Sequence, residues 1–92
     1  MDRLWHWLDG DNEFLSVFAK NNIREVVDFT IYSRWGQQVF SRQNFPANIV
    51  QLGWDGRLNG QVLSSGVYVY SLVVERQDGV QETYYGDFSL TK

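Results

Sequence analysis

The carboxylates of Asp9, Asp11 and Glu13 are the densest set of groups that could do chemistry in this 92-residue chain. Set on alternate residues around Gly10, they would present hard oxygen ligands together, the donor type that calcium takes. The helix-loop-helix calcium loop is a poor match, because its sixth position would be Phe14 instead of Gly and its twelfth Lys20 instead of Glu. The competing reading is a tight acidic turn leading into a strand at Phe14. Acid–base work by Asp9 and Asp11 would need a cleft that holds two carboxyls at different pKa values, and nothing in the sequence implies one. His6, between Trp5 and Trp7, is the single histidine and cysteine is absent, so no catalytic dyad, thiolate nucleophile or zinc set can be assembled. The expectation is a chain that is not an enzyme and uses no metal and no cofactor.

Two other groups carry chemistry of a different kind. Arg34-Trp35 has a structural reading, in which the indole covers a sheet edge while the guanidinium stacks on an aromatic ring or pairs with Asp28 or Asp55. It has an equally concrete binding reading, in which an exposed Arg and Trp form a docking hot spot for a partner protein. Trp54-Asp55-Gly56 can be explained by folding alone: Trp54 plugs a core, Asp55 accepts backbone N–H bonds in an Asx turn, and Gly56 supplies a φ that other residues resist.

The elements that must position these groups are strands. The apolar period is two almost throughout. Along residues 80–90, Val80, Glu82, Tyr84, Gly86, Phe88 and Leu90 share one side against Gln81, Thr83, Tyr85, Asp87 and Ser89 on the other. Val27, Phe29 and Ile31 alternate with Asp28 and Thr30. Residues 67–74 are apolar on both sides and predict a central strand with both faces buried. Residues 14–19 are also apolar on both sides, so their inward face is undecided. Residues 38–41 predict a short strand with Val39 and Phe40 on opposite sides. Asp78-Gly79 predicts a two-residue hairpin turn joining residues 66–76 to 80–91, and Gly36 does similar work between 26–32 and 37–42. Residues 44–65, with Asn59-Gly60 and the single proline Pro46, read as a long loop that hides a strand at 50–54. The fold expected is an all-β, antiparallel, immunoglobulin-like sandwich of six to seven strands.

Composition narrows the function. Eight basic residues against eleven acidic ones, with the basic ones scattered, lack the stripe that nucleic acid needs. No apolar run approaches the roughly 20 residues of a membrane-spanning helix, and Met1-Asp2-Arg3-Leu4 lacks a signal-peptide pattern, so a soluble chain is expected. A chain this short buries only about 60–65% of its unfolded surface, which leaves little room for a large ligand cavity.

Taken in order, Tyr32, Arg34-Trp35-Gly36, Val39-Phe40, Trp54-Asp55-Gly56, Gly60, Gly66, Tyr68 and Tyr70, with Phe29 and Ile31 before them, resemble the C-terminal sorting domain of the type IX secretion system. This is the gliding-motility-associated C-terminal domain family, and the Arg-Trp-Gly turn is closer to its type B. Gly86-Asp87-Phe88-Ser89-Leu90 and the basic Lys92 resemble the family's final strand. The resemblance covers residues 9–92, whereas residues 1–8 have no counterpart and are expected to be an appended segment or a truncated strand.

The resemblance implies a domain carried by a larger cargo protein in Bacteroidetes-type bacteria, recognised in the periplasm and passed to the surface or medium by outer-membrane components of the secretion machinery. It implies Arg34, Trp35, Gly36, Asp87, Phe88, Leu90 and Lys92 as partner contacts, and Trp54, Asp55, Gly56, Gly66, Tyr68 and Tyr70 as structural positions. No nucleic acid or small-molecule substrate is implied. An exposed edge strand would also allow a homodimer. The rival readings are an immunoglobulin-like scaffold or adhesion module, as in flagellar hook-capping proteins, and a carbohydrate-binding module using Trp5, Trp7, Trp35 or Tyr85.

Overall fold

The computed structural model describes residues 3–6, 15–18, 22–49 and 52–90, and within the first two segments only the side chains of Leu15 and Val17. It is all-β. The strands are β1 (Arg3–His6), β2 (Leu15–Phe18), β3 (Ile23–Ser33), β4 (Gln38–Phe45), β5 (Arg57–Leu58), β6 (Gln61–Val62), β7 (Gly66–Arg76) and β8 (Gln81–Leu90). Strands β4, β3, β7 and β8 form one antiparallel sheet in that order, β1 pairs with β2, and β5 pairs with β6. The arrangement is sandwich-like, with six strands of four residues or more and one miniature hairpin among the described residues.

One face of the four-stranded sheet carries the core. Val26, Phe29 and Ile31 of β3, Val39 and Phe45 of β4, Tyr68, Leu72 and Val74 of β7, and Phe88 and Leu90 of β8 are all buried. Leu15 and Val17 of β2 and Trp54 close over them. The cover is fixed by backbone bonds: Leu15 and Trp54 exchange both N–H···O bonds at 2.7 and 2.9 Å, and the Asn48 N–H donates to the Val17 carbonyl at 2.8 Å. Leu15 and Val17 thereby mark the inward side of β2, within the stretch 14–19 whose inward face the sequence leaves open.

The strand pairings match expectation, but four local readings are corrected. Val26, and not Val27, joins Phe29 and Ile31 in the core, because β3 shifts register against β7 between Val26 and Asp28. An extra residue in a bulged strand reverses the parity of everything beyond it. A second bulge, where Tyr32 faces Gln38 and Ile31 faces Phe40, leaves Val39 unpaired. Val39 and Phe40 both reach the core instead of opposite faces, and β4 continues to Phe45.

Gln77-Asp78-Gly79 is a three-residue loop, closed by Arg76 N–H to Val80 O at 2.8 Å and Gly79 N–H to Arg76 O at 2.9 Å. Gly79, at φ +87°, takes the left-handed position that completes such a loop. Last, the strand expected at 50–54 is not seen among its described residues, 52–54: Trp54 makes a single bridge to Leu15. The strands within this stretch are β5 and β6 instead, joined by Asn59 (φ +53°) and Gly60 (φ +83°), the two positive φ values of a two-residue hairpin turn.

Candidate functional site

Arg34, Trp35 and Gly36, followed by Gln37, connect β3 to β4. The Ser33 N–H donates to Gln37 O at 2.7 Å, and the Gly36 N–H donates to Ser33 O at 2.9 Å. Gly36, at φ +91°, fills the left-handed position. The Ser33 hydroxyl oxygen accepts from the N–H groups of Trp35 (3.2 Å) and Gln37 (3.1 Å), so the loop is held from beneath by one side chain. Its backbone needs are met by Ser33 and Gly36, which leaves the Arg34 and Trp35 side chains unused by the turn.

Trp35 is 83% exposed. Its indole is left largely open to solvent, where the packing reading of this residue has it covering a sheet edge. The Arg34 guanidinium lies 4.8 Å from the centre of the indole ring, so the partner it finds is Trp35 itself, with no salt bridge to Asp28 or Asp55 among the described residues. Stacking holds the two side chains together as one amphipathic unit.

Antiparallel pairing brings the other candidate pieces to the same end of the sheet. Ser33 lies opposite Tyr68, and Gly66 opposite Leu90, so the Arg34-Trp35-Gly36 loop, the start of β7 and the end of β8 are neighbours. A groove of about 390 Å³ opens there, lined by Arg34, Trp35 and Gln37 on one side and by Ser64, Ser65 and Val67 on the other. Its wall is braced by the Tyr68 hydroxyl, which donates to the Ser64 carbonyl at 2.8 Å.

The last strand divides by parity. Phe88 and Leu90 point into the core, and Phe88 packs 6.0 Å from both Trp54 and Tyr68, so neither presents a surface to a partner in the folded domain. Asp87 is exposed on the opposite face, level with Val69. Lys92 lies outside the described residues.

That opposite face shows what sequence reasoning missed. Residues 67–74 read as a strand buried on both sides, yet Val67 is 44% exposed and Val69 37%, while their neighbours Tyr68, Leu72 and Val74 are buried. No described element covers the outer face. The only signal for this in the sequence was two valines out of phase with Tyr68 and Tyr70, and such a pattern is the same whether the second face meets protein or solvent.

Trp54 is 1% exposed, its indole N–H donates to Arg57 O at 3.0 Å, and it meets Tyr68 at 5.5 Å between ring centres. The Asp55 carboxylate accepts from the Arg57 N–H at 3.1 Å, and Gly56 sits at φ +83°. Tyr70 lies across Gly86: a Cβ there would fall 2.5 Å from the Tyr70 hydroxyl oxygen, which explains why β8 carries glycine opposite an aromatic ring.

Among the described residues no cluster of His, Cys, Asp or Glu could hold a metal ion. The acidic stretch 9–13 considered for calcium, and the side chains of Trp5, His6 and Trp7, lie outside the described residues. The loop end of the sheet gathers an aromatic–cation pair, two exposed valines, one carboxylate and a shallow groove.

The sequence of residues 7–89 matches the family model described as CHU_C type IX secretion signal domain. Neither a curated protein nor a solved structure matches the chain. The matched span holds the Arg34-Trp35-Gly36 loop, the Trp54-Asp55-Gly56 turn, the central strand and almost all of β8, and on that match the chain belongs to the CHU_C family of type IX secretion signal domains.

Proposed function

We propose that this domain directs a larger protein, joined to it covalently on its N-terminal side, across the outer membrane by presenting a folded docking surface to the type IX machinery. The surface is Arg34 and Trp35 on their loop, with Val67, Val69 and Asp87 on the adjoining outer face. Outer-membrane components of the machinery are the partner, met from the periplasm, and the cargo ends at the cell surface or in the medium. Recognition is by protein–protein contact, with neither catalysis nor a cofactor.

The observation that supports this reading most is the exposure of Trp35. Leaving an indole in water forgoes roughly 1.5–3 kcal/mol of burial that a core position would give, so its place at the tip of a loop is accounted for by a partner better than by folding. Trp and Arg are the residues that most often dominate binding energy when a partner excludes water from them. Valines beside them and a carboxylate at the margin match the apolar centre and polar rim of a docking site.

The test is a fusion of the whole chain to the C-terminus of a periplasm-targeted reporter, expressed in a host with the secretion system. Export to the surface or medium is expected, with loss of export for Arg34→Ala/Trp35→Ala and no loss of fold. A reporter that stayed periplasmic while the domain was folded would defeat the sorting function. Export undiminished by the double variant would instead remove the loop from the docking surface.

A further inference from the structure

Strand β8 is an edge of the main sheet, and its outer side, unpaired among the described residues, is regular over its full length. It stays in register with β7 from Gly66↔Leu90 to Glu75↔Gln81 without a bulge. The other edge, β4, is broken by the bulge at Val39 and by Asn44 at φ +56°. Bulges, prolines and lysines are the usual protection of an edge, and residues 81–90 contain none of them.

The direction of each backbone group follows from the hairpin. Arg76 donates its N–H to Val80 O, so that pair is hydrogen-bonded, and in an antiparallel ladder bonded and non-bonded pairs alternate. The next bonded partners on β8 are Glu82, Tyr84, Gly86, Phe88 and Leu90. Gln81, Thr83, Tyr85, Asp87 and Ser89 therefore turn their N–H and C=O groups away from β7, toward an edge that no described element covers.

We propose that this edge pairs with the same edge of a second copy of the chain, antiparallel, about a two-fold axis at Tyr85. In that register Gln81 meets Ser89 of the second copy, Thr83 meets Asp87, and Tyr85 meets Tyr85, so every outward backbone group finds an outward partner. The charges favour it as well. Glu82 and Asp87 are the only charged side chains on β8, and the register sets them opposite Phe88 and Thr83, never opposite each other. Tyr85, 78% exposed at the axis, gains the aromatic partner that the monomer does not give it among the described residues. Self-complementarity of this kind is what a two-fold contact requires and an unrelated strand does not. The inference is independent of the export function.

Strand pairing alone buries less than a standard interface, so the dimer is weak and is sought by sedimentation between about 10 µM and about 1 mM. Dimer should grow with concentration. Tyr85→Pro removes an outward N–H and Tyr85→Lys opposes two charges at the axis; both should stay monomeric with an unchanged circular dichroism spectrum. Tyr84→Pro, one residue away, removes a bond to β7 and should disrupt the fold. Because the chain has no cysteine, Tyr85→Cys should cross-link on oxidation at the roughly 5.5 Å Cα spacing of a bonded pair, and Gln81→Cys alone should not. A chain that is monomeric throughout the range overturns the proposal, as does a dimer that survives in folded Tyr85→Lys. If the monomeric chain then lost export on Tyr85→Pro, the edge would belong to a strand of the machinery instead.

Discussion

Replacing Trp35 and Trp54 separately by alanine separates docking from folding within one domain. Trp54 is buried against Tyr68 and Phe88 and donates its indole N–H to Arg57 O. Its truncation should cost about 3–5 kcal/mol for the lost packing and cavity, and about 1 kcal/mol more for a carbonyl left without its donor. A domain of this length has only about 5–14 kcal/mol of total stability, so Trp54→Ala should unfold it or lower the melting temperature by more than about 16 °C. Trp35 is largely exposed and stacks with Arg34, and such a stack on an exposed indole is worth about 0.5–1 kcal/mol. Trp35→Ala should therefore shift melting by less than about 8 °C. If a partner buries the indole, the same truncation should cost 2 kcal/mol or more in binding, about a thirtyfold loss of affinity. Thermal melts by circular dichroism, read beside export of the reporter fusion, measure both. Melting lowered as far by Trp35→Ala as by Trp54→Ala would refute the assignment of Trp35 to the surface, and normal export by a folded Trp35→Ala variant would refute its role in docking.

Further expectations follow from single contacts. Gly86→Ala should destabilise by about 1–3 kcal/mol in urea denaturation, because the new Cβ displaces the Tyr70 ring, and the cost should shrink in a Tyr70→Ala background. Tyr68→Phe should cost about 1 kcal/mol through the lost bond to Ser64 O, with the core otherwise unchanged. The Arg76 guanidinium binds Asp78 and Glu82. Its hydrogen bond holds the Asp78 carboxyl below its ordinary value, and the Tyr84 hydroxyl, followed by Arg76, does the same for Glu82. Folded-state values below the unfolded ones mean a contribution that is complete above about pH 5 and lost as pH falls through the folded values. Acid melts of Asp78→Asn/Glu82→Gln should show a smaller decline below about pH 4 than the parent, with the two curves parallel from pH 5 to 7.

Local rules carried the sequence a long way. Period-two alternation gave β8 and the pairing of residues 66–76 with 80–91, and Gly36 marked the turn between β3 and β4, because a strand's parity and a left-handed φ are settled within a few residues. Where the structure departs from these local rules, a non-local event intervenes. The bulges at Val27 and Val39 depend on how β3 meets its neighbours on either side, and the Asn59-Gly60 hairpin was hidden in a stretch whose strands are two residues long.

The candidate site divides in the same way. Its residue types and family pattern were legible: Arg34-Trp35-Gly36 on a turn and Asp87 on the last strand. Their placement was not, because Phe88 and Leu90 are core while Asp87 is surface, and because Val67 and Val69 look the same in sequence whether a second layer covers them or not. The sequence by itself determined an all-β chain of antiparallel strands with a turn at Gly36, because strand parity and a left-handed φ are local properties. Tertiary structure alone decided that, among the described residues, one face of the four-stranded sheet is covered while Val67, Val69 and, at the sheet's end, Trp35 stay exposed, as a chain this short buries only part of its surface.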